Sequence, residues 1–139
     1  MSTKIRPELS KKSEYYIPKY RYYELKYRCL QFHDWVARLN ELDISLSAVR
    51  TDLEKVDRTN DIYDSVGKMA TDRAALSKKI RPVEKAISHI DPCLRNAIFD
   101  AVTTGKGWTV IQAKYGLYCT RDEYYNAYHK FYYILDSMV

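Results

Sequence analysis

The sequence predicts an all-α fold: a long antiparallel helical hairpin followed by a C-terminal tri-helical unit of helix-turn-helix-like layout. Three observations carry this expectation. Apolar residues recur every three or four positions over two long stretches, the period of a helix face and not of a strand. Only 4 Gly and 4 Pro in 139 residues leave little material for the tight turns of a sandwich or barrel. In the last third, Asp91-Pro92, Gly105, Gly116 and Thr120 punctuate the chain with helix starts and stops.

Residues 1–17 read as a basic, tyrosine-containing arm. The first helix opens at Pro18, whose missing N–H costs nothing in a first turn. From there Tyr22, Leu25, Cys29, Phe32, Val36 and Leu39 form one stripe, predicting a single helix of roughly 24 residues. The stretch from about 43 to 60 is rich in Ser, Asp and Thr without a sustained period and reads as a polar loop, with at most a helical turn around Leu46–Val56. A second long helix follows on Ile62, Val66, Met69, Arg73, Leu76, Ile80, Val83, Ile87 and Ile90, where only Arg73 is not apolar. This seven-residue repeat implies packing along a long partner, and Pro82 predicts a kink near Lys78–Pro82. Together residues 18–90 make the expected hairpin.

The remaining unit, 91–139, begins with Asp91 as cap and Pro92 as first helical residue. Leu94, Ala97, Ile98, Ala101 and Val102 supply an inner face, and Gly105 and Gly107 end the helix. A short helix over Thr109–Tyr115 stops at Gly116, and Thr120-x-x-Glu123 has the form of a capping box. It opens a last helix with Tyr124, Tyr128, Phe131, Leu135 and Met138 facing inward.

Charge narrows the partners. Lys and Arg total 23 against 18 Asp and Glu, for a net charge of +5. Residues 1–30 and 71–139 are net positive, whereas 31–70 are net negative, with Asp52, Glu54, Asp57, Asp61 and Asp64 close together. A basic excess favours polyanions, acidic proteins or membrane surfaces. No run approaches the roughly 18 apolar residues of a membrane span, and the first 14 residues lack the apolar segment of a secretory signal. Three cysteines without a CxxC pair fit reduced thiols in a cytosolic protein. Tyrosine is unusually abundant, 14 against 3 Phe, and concentrated at both ends of the sequence.

Enzyme signatures are lacking. Gly105-Lys106-Gly107 is too short for a phosphate loop and is followed by Trp108. His33, His89 and His129 share no metal-ligand spacing, so neither a metal nor another cofactor is expected. His33 and Asp34 point apart on a helix, and Cys29 on its apolar stripe reads as a buried structural thiol. The expected activity is therefore binding without catalysis.

A tri-helical unit of this kind offers the first half of its last helix to the DNA major groove. The outward set is Arg121, Asp122, Tyr125, Asn126, His129 and Lys130, in which Arg reads guanine and Asn reads adenine by paired hydrogen bonds. Lys114 and Thr120 are candidates for phosphate contact. In the amino-terminal region Lys11, Lys12, Lys19 and Arg21 interleave with tyrosines. That pairing suits a phosphate backbone with stacked bases, a protein interface, or a solvated arm whose tyrosines cover the hairpin.

The segment IDPCLRNAIFDAVTTGKGWTVIQAKYGLYCTRDEYYNAYHKFYYIL resembles the DNA-binding half of phage late-gene regulators of the RinA and ArpU type, related in layout to region 4 of bacterial sigma factors. Over roughly residues 15–139 the chain is similar to small proteins from phages and prophages of Gram-positive bacteria. The matching segments are Ile17 to Lys26, Leu30-Gln31, Trp35, AALSKKI and LYCTRDEYYNAYHKFYYIL. Two positions depart from the pattern: Gln112 stands where a small residue precedes the turn glycine, and the next inward position, Tyr124, arrives about two residues late. The resemblance implies transcription regulation on double-stranded DNA, with the hairpin for dimerisation or contact with host RNA polymerase. A second function class also fits: a phage-encoded interaction module that inhibits a host nucleic-acid enzyme such as a defence nuclease, anti-CRISPR-like, the acidic middle acting as a decoy.

Overall fold

The structure, a computed structural model, describes residues 13–53 and 60–139. Those residues form six helices and no strand: α1 (Lys19–Leu30), α2 (Phe32–Leu53), α3 (Asn60–Ser88), α4 (Pro92–Thr104), α5 (Trp108–Tyr115) and α6 (Arg121–Met138). They divide into two compact units, one of residues up to 31 with 82–139, the other within 32–81.

In the first unit α1 packs on α4 and α6, and α4 also packs on α5. The sequence groups the first helix with the hairpin; the structure instead buries its face, Tyr22, Leu25 and Cys29, among the C-terminal helices. The predicted helix of roughly 24 residues is also interrupted. Gln31 (φ −90, ψ −4) ends α1 with its N–H donating to the Arg28 carbonyl at 3.2 Å, and α2 starts at Phe32. That backbone conformation stays near helical, so the apolar spacing crosses the break undisturbed and hides it from a periodicity reading.

The core of this unit is made by side chains with almost no exposure: Leu25, Cys29, Val83, Ile90, Ile98, Val102, Ile111, Tyr124, Phe131, Tyr132 and Leu135. Burial pushes the Cys29 thiol up to about 12, so it packs as a small apolar group. Two clasps fix the periphery. Arg21 on α1 donates to Asp136 at 2.5 Å, to Glu24 at 3.0 Å and to the Val139 carbonyl at 2.8 Å, tying α1 to the end of α6. Arg95 Nη2 donates to the Ser88 and Ile90 carbonyls at 3.0 and 3.1 Å, covering the open carbonyls where α3 ends.

In the second unit α2 runs through Leu53, so the polar loop predicted from about 43 is helical in its first part; residues 54–59 lie outside the described ones. Phe32, and Leu42 and Leu46 four apart, are buried among its described side chains. Trp35 meets the Lys79 ammonium, 5.7 Å from its ring, and Asp43 accepts from Arg73. Early α2 against late α3 is the order of antiparallel neighbours. Arg73, the one polar residue on the α3 stripe, thus has a carboxylate partner, and beside the pair lies a cavity of about 500 Å³. Pro82 sits inside α3 at the division between the units, next to the kink position expected from sequence.

Candidate nucleic-acid interface

Local chemistry positions α4, α5 and α6 much as the sequence predicts. The Asp91 carboxylate accepts the Cys93 N–H at 2.9 Å, capping α4 ahead of Pro92. Gly105 (φ 76) ends α4 and Gly116 (φ 57) ends α5, both in the left-handed region where glycine carries no Cβ penalty. The Thr120 hydroxyl accepts the Glu123 N–H at 3.1 Å and caps α6.

A nearly buried carboxylate joins these helices. Asp100 on α4 accepts from Lys114 Nζ at 2.6 Å, Tyr115 Oη at 2.9 Å and Thr104 Oγ1 at 3.2 Å, with Lys106 Nζ at 3.9 Å. Its carboxyl is held below the usual range, chiefly by the Lys114 hydrogen bond against the opposing effect of burial. A lowered folded-state pKa means this stabilisation is present above the unfolded carboxyl value of about 3.9 and is lost as pH falls through the folded value. Asp100→Asn is therefore expected to melt below the native protein near neutral pH, with the gap closing as pH drops below about 4. Melting both proteins across pH 2–7 by circular dichroism checks this, and a gap independent of pH would contradict it.

The DNA-contact residues expected from sequence separate into three groups. Arg121 and Asn126 are exposed in the first half of α6, Thr120 is exposed just ahead of it, Tyr125 and Lys130 are half-buried, and the Arg121 guanidinium lies over the Tyr125 ring, 5.6 Å from its centre. His129 is corrected: expected on the outward face, it is 6% exposed, its ring edge-on to Tyr128 at 5.6 Å. Burial lowers its pKa, favouring the neutral imidazole. The inner face of α6 is wider than a single stripe, because Tyr132 is buried beside Phe131 and draws its neighbour one turn earlier inward. Lys114 is engaged by Asp100, and Arg21 by Asp136, so each reaches a phosphate only in competition with a carboxylate. Lys19 is exposed, 5.8 Å from the Tyr20 ring, while Lys11 and Lys12 lie outside the described residues.

The structure adds a feature that the linear reading misses. Between α1, the Gly105–Gly107 loop and α6 lies a cleft of about 180 Å³, walled by tyrosines and bordered by Lys26 and Lys106. Its rings interlock: Tyr22 and Tyr128 share a hydroxyl hydrogen bond of 2.8 Å, and Tyr132 meets both edge-on at 5.1 Å. The signal was present in the tyrosine-rich ends, but their meeting depends on α1 leaving the hairpin. Among the described residues, no group of three or more His, Cys, Asp or Glu is placed to hold a metal ion. No described helix is long and apolar enough to cross a membrane. No protein-family model, curated protein or solved structure matches the chain.

Proposed function

We propose that the chain is a phage-type transcription regulator that binds double-stranded DNA without catalysis, laying the first half of α6 in the major groove. The observation that supports this reading is the capped start of α6, whose inner face buries Tyr124 and Phe131, with Arg121 and Asn126 exposed beyond the Gly116 turn. Both are residue types that pair with purine edges, and the packed inner face gives them a fixed platform. The resemblance to late-gene regulators points the same way. Within the 32–81 unit, Ile44 is 71% exposed on α2, and we assign this unit to protein contact, with a second copy or host RNA polymerase as partner.

Anisotropy of a labelled random duplex at about 50 and 200 mM salt tests the reading. Micromolar binding that weakens steeply with salt is expected, with Arg121→Ala/Lys130→Ala lowering the affinity several-fold and making the salt dependence shallower. No binding at low salt would overturn it, leaving the interaction-module reading, whose acidic middle has exposed Asp64 among the described side chains while Asp52, Glu54, Asp57 and Asp61 lie outside them.

A further inference from the structure

The tyrosine cleft has a chemistry of its own, separate from the outer face of α6. Its volume of about 180 Å³ sets the size class. A cavity of roughly 150 Å³ admits benzene, so this cleft takes one planar ring system and nothing much larger. Tyr125 and Tyr128, both half-buried, present aromatic surface to it above the buried Tyr22 and Tyr124, and Lys26 and Lys106 add positive charge at the same lining.

The two lysines differ in their other commitments. Lys26 makes no ion pair among the described residues. Lys106 stands 3.9 Å from Asp100, whose nearer bond, 2.6 Å, goes to Lys114. Burial raises the hydroxyl pKa values of Tyr22, Tyr124 and Tyr128, keeping these rings neutral, so no phenolate opposes an anion. Flat rings beside lysines match a base joined to a phosphate, because base–aromatic stacking and phosphate neutralisation are the two general contributions to binding unpaired nucleic acid.

We propose that this cleft binds one unstacked nucleotide, its base against the tyrosine rings and its phosphate on Lys26 and Lys106. The ligand is a nucleotide unit, supplied free or as part of a single strand. Glycine at 107 leaves the entrance open: a Cβ there would meet nothing within 4 Å. Position 107 therefore tolerates a side chain that crowds the cleft while the fold persists.

The test uses the full chain and a fluorescein-labelled ten-nucleotide thymidine strand, followed by anisotropy at about 50 mM salt. A matched strand with abasic positions and AMP as competitor form the other arms. Trp108, whose ring lies 5.0 Å from Tyr124, gives a second readout by quenching in a Trp35→Phe background. The abasic strand is expected to bind about tenfold more weakly, since each stacked base accounts for roughly that much. Lys26→Ala/Lys106→Ala is expected to weaken the thymidine strand about tenfold and to make its salt dependence shallower by about 1.4 in log–log slope. Gly107→Leu should reduce binding of the thymidine strand to the level of the abasic one.

Displacement by AMP supports a free nucleotide as the source; strand binding without displacement supports a strand. Equal affinity for thymidine and abasic strands, or variants that bind like the native chain, would overturn the proposal. So would failure of both strand and AMP to bind. None of these variants alters Arg121 or Asn126, so duplex binding that survives them separates failure of the cleft from failure of the α6 reading.

Discussion

Replacing Tyr132 by Ala is expected to remove about 3–5 kcal/mol of stability, the usual cost of deleting a large buried aromatic side chain. Tyr132 is 1% exposed and stands where α6 meets α1, edge-on to Tyr22, Tyr128 and Phe131, each at 5.1 Å. The loss combines transfer of the ring to water, an unfilled hole among rings too rigid to close it, and two or three edge-to-face contacts worth about 0.5–1.5 kcal/mol apiece. Tyr132→Phe keeps all of that except the hydroxyl and should cost only about 1 kcal/mol. Urea titration followed by Trp108 fluorescence in the Trp35→Phe background reports on this unit alone. A Tyr132→Ala midpoint no lower than that of Tyr132→Phe would show that the α1–α6 packing is not what holds the unit together.

The second large effect concerns Gly105. At φ 76 any L-residue is strained, and a Cβ would stand 3.3 Å from Leu30 Cδ2, tighter than ordinary contact. Gly116 has a similar backbone, φ 57, but open space around it. The pair isolates one cause. Gly116→Ala is expected to cost about 1–2 kcal/mol from backbone strain alone. Gly105→Ala adds only the pressure on Leu30 and should cost about 2–4 kcal/mol. Equal losses in thermal melts of the two variants would mean that Leu30 yields freely and that the backbone accounts for everything.

The parts of the fold that sequence anticipates are those fixed by local chemistry. Asp91-Pro92, Gly105, Gly116 and Thr120 each end or begin a helix within a residue or two of the expected place, because caps and left-handed turns are decided by one side chain and its nearest backbone. Non-local decisions escape. The break at Gln31 leaves the apolar spacing intact, so nothing in the pattern reveals that Tyr22, Leu25 and Cys29 face partners other than those of Leu42 and Leu46. The serine- and aspartate-rich stretch after 43 has weak helix propensity, yet Leu42 and Leu46 four apart suffice to extend α2. His129 shows the same limit: a polar side chain beside a wide aromatic face is placed by packing with Tyr128, not by its own polarity. For the site, Arg121, Tyr125, Asn126 and Lys130 were legible as a helix face. Lys106 was set aside because its glycines fail as a phosphate loop, and only the convergence of α1 with α6 gives it tyrosine neighbours.

That convergence also dictates when the first unit comes into being. Tyr22 and its hydroxyl partner Tyr128 are 106 residues apart. At a synthesis rate of about 5–20 residues per second, α1 emerges from the ribosome roughly 5–20 s before the helix that covers it. Throughout that interval the faces of Tyr22, Leu25 and Cys29 have no α6 to bury them, and the nascent chain carries an uncovered aromatic stripe. Until α6 is out and folded, the tyrosine cleft has only one of its walls.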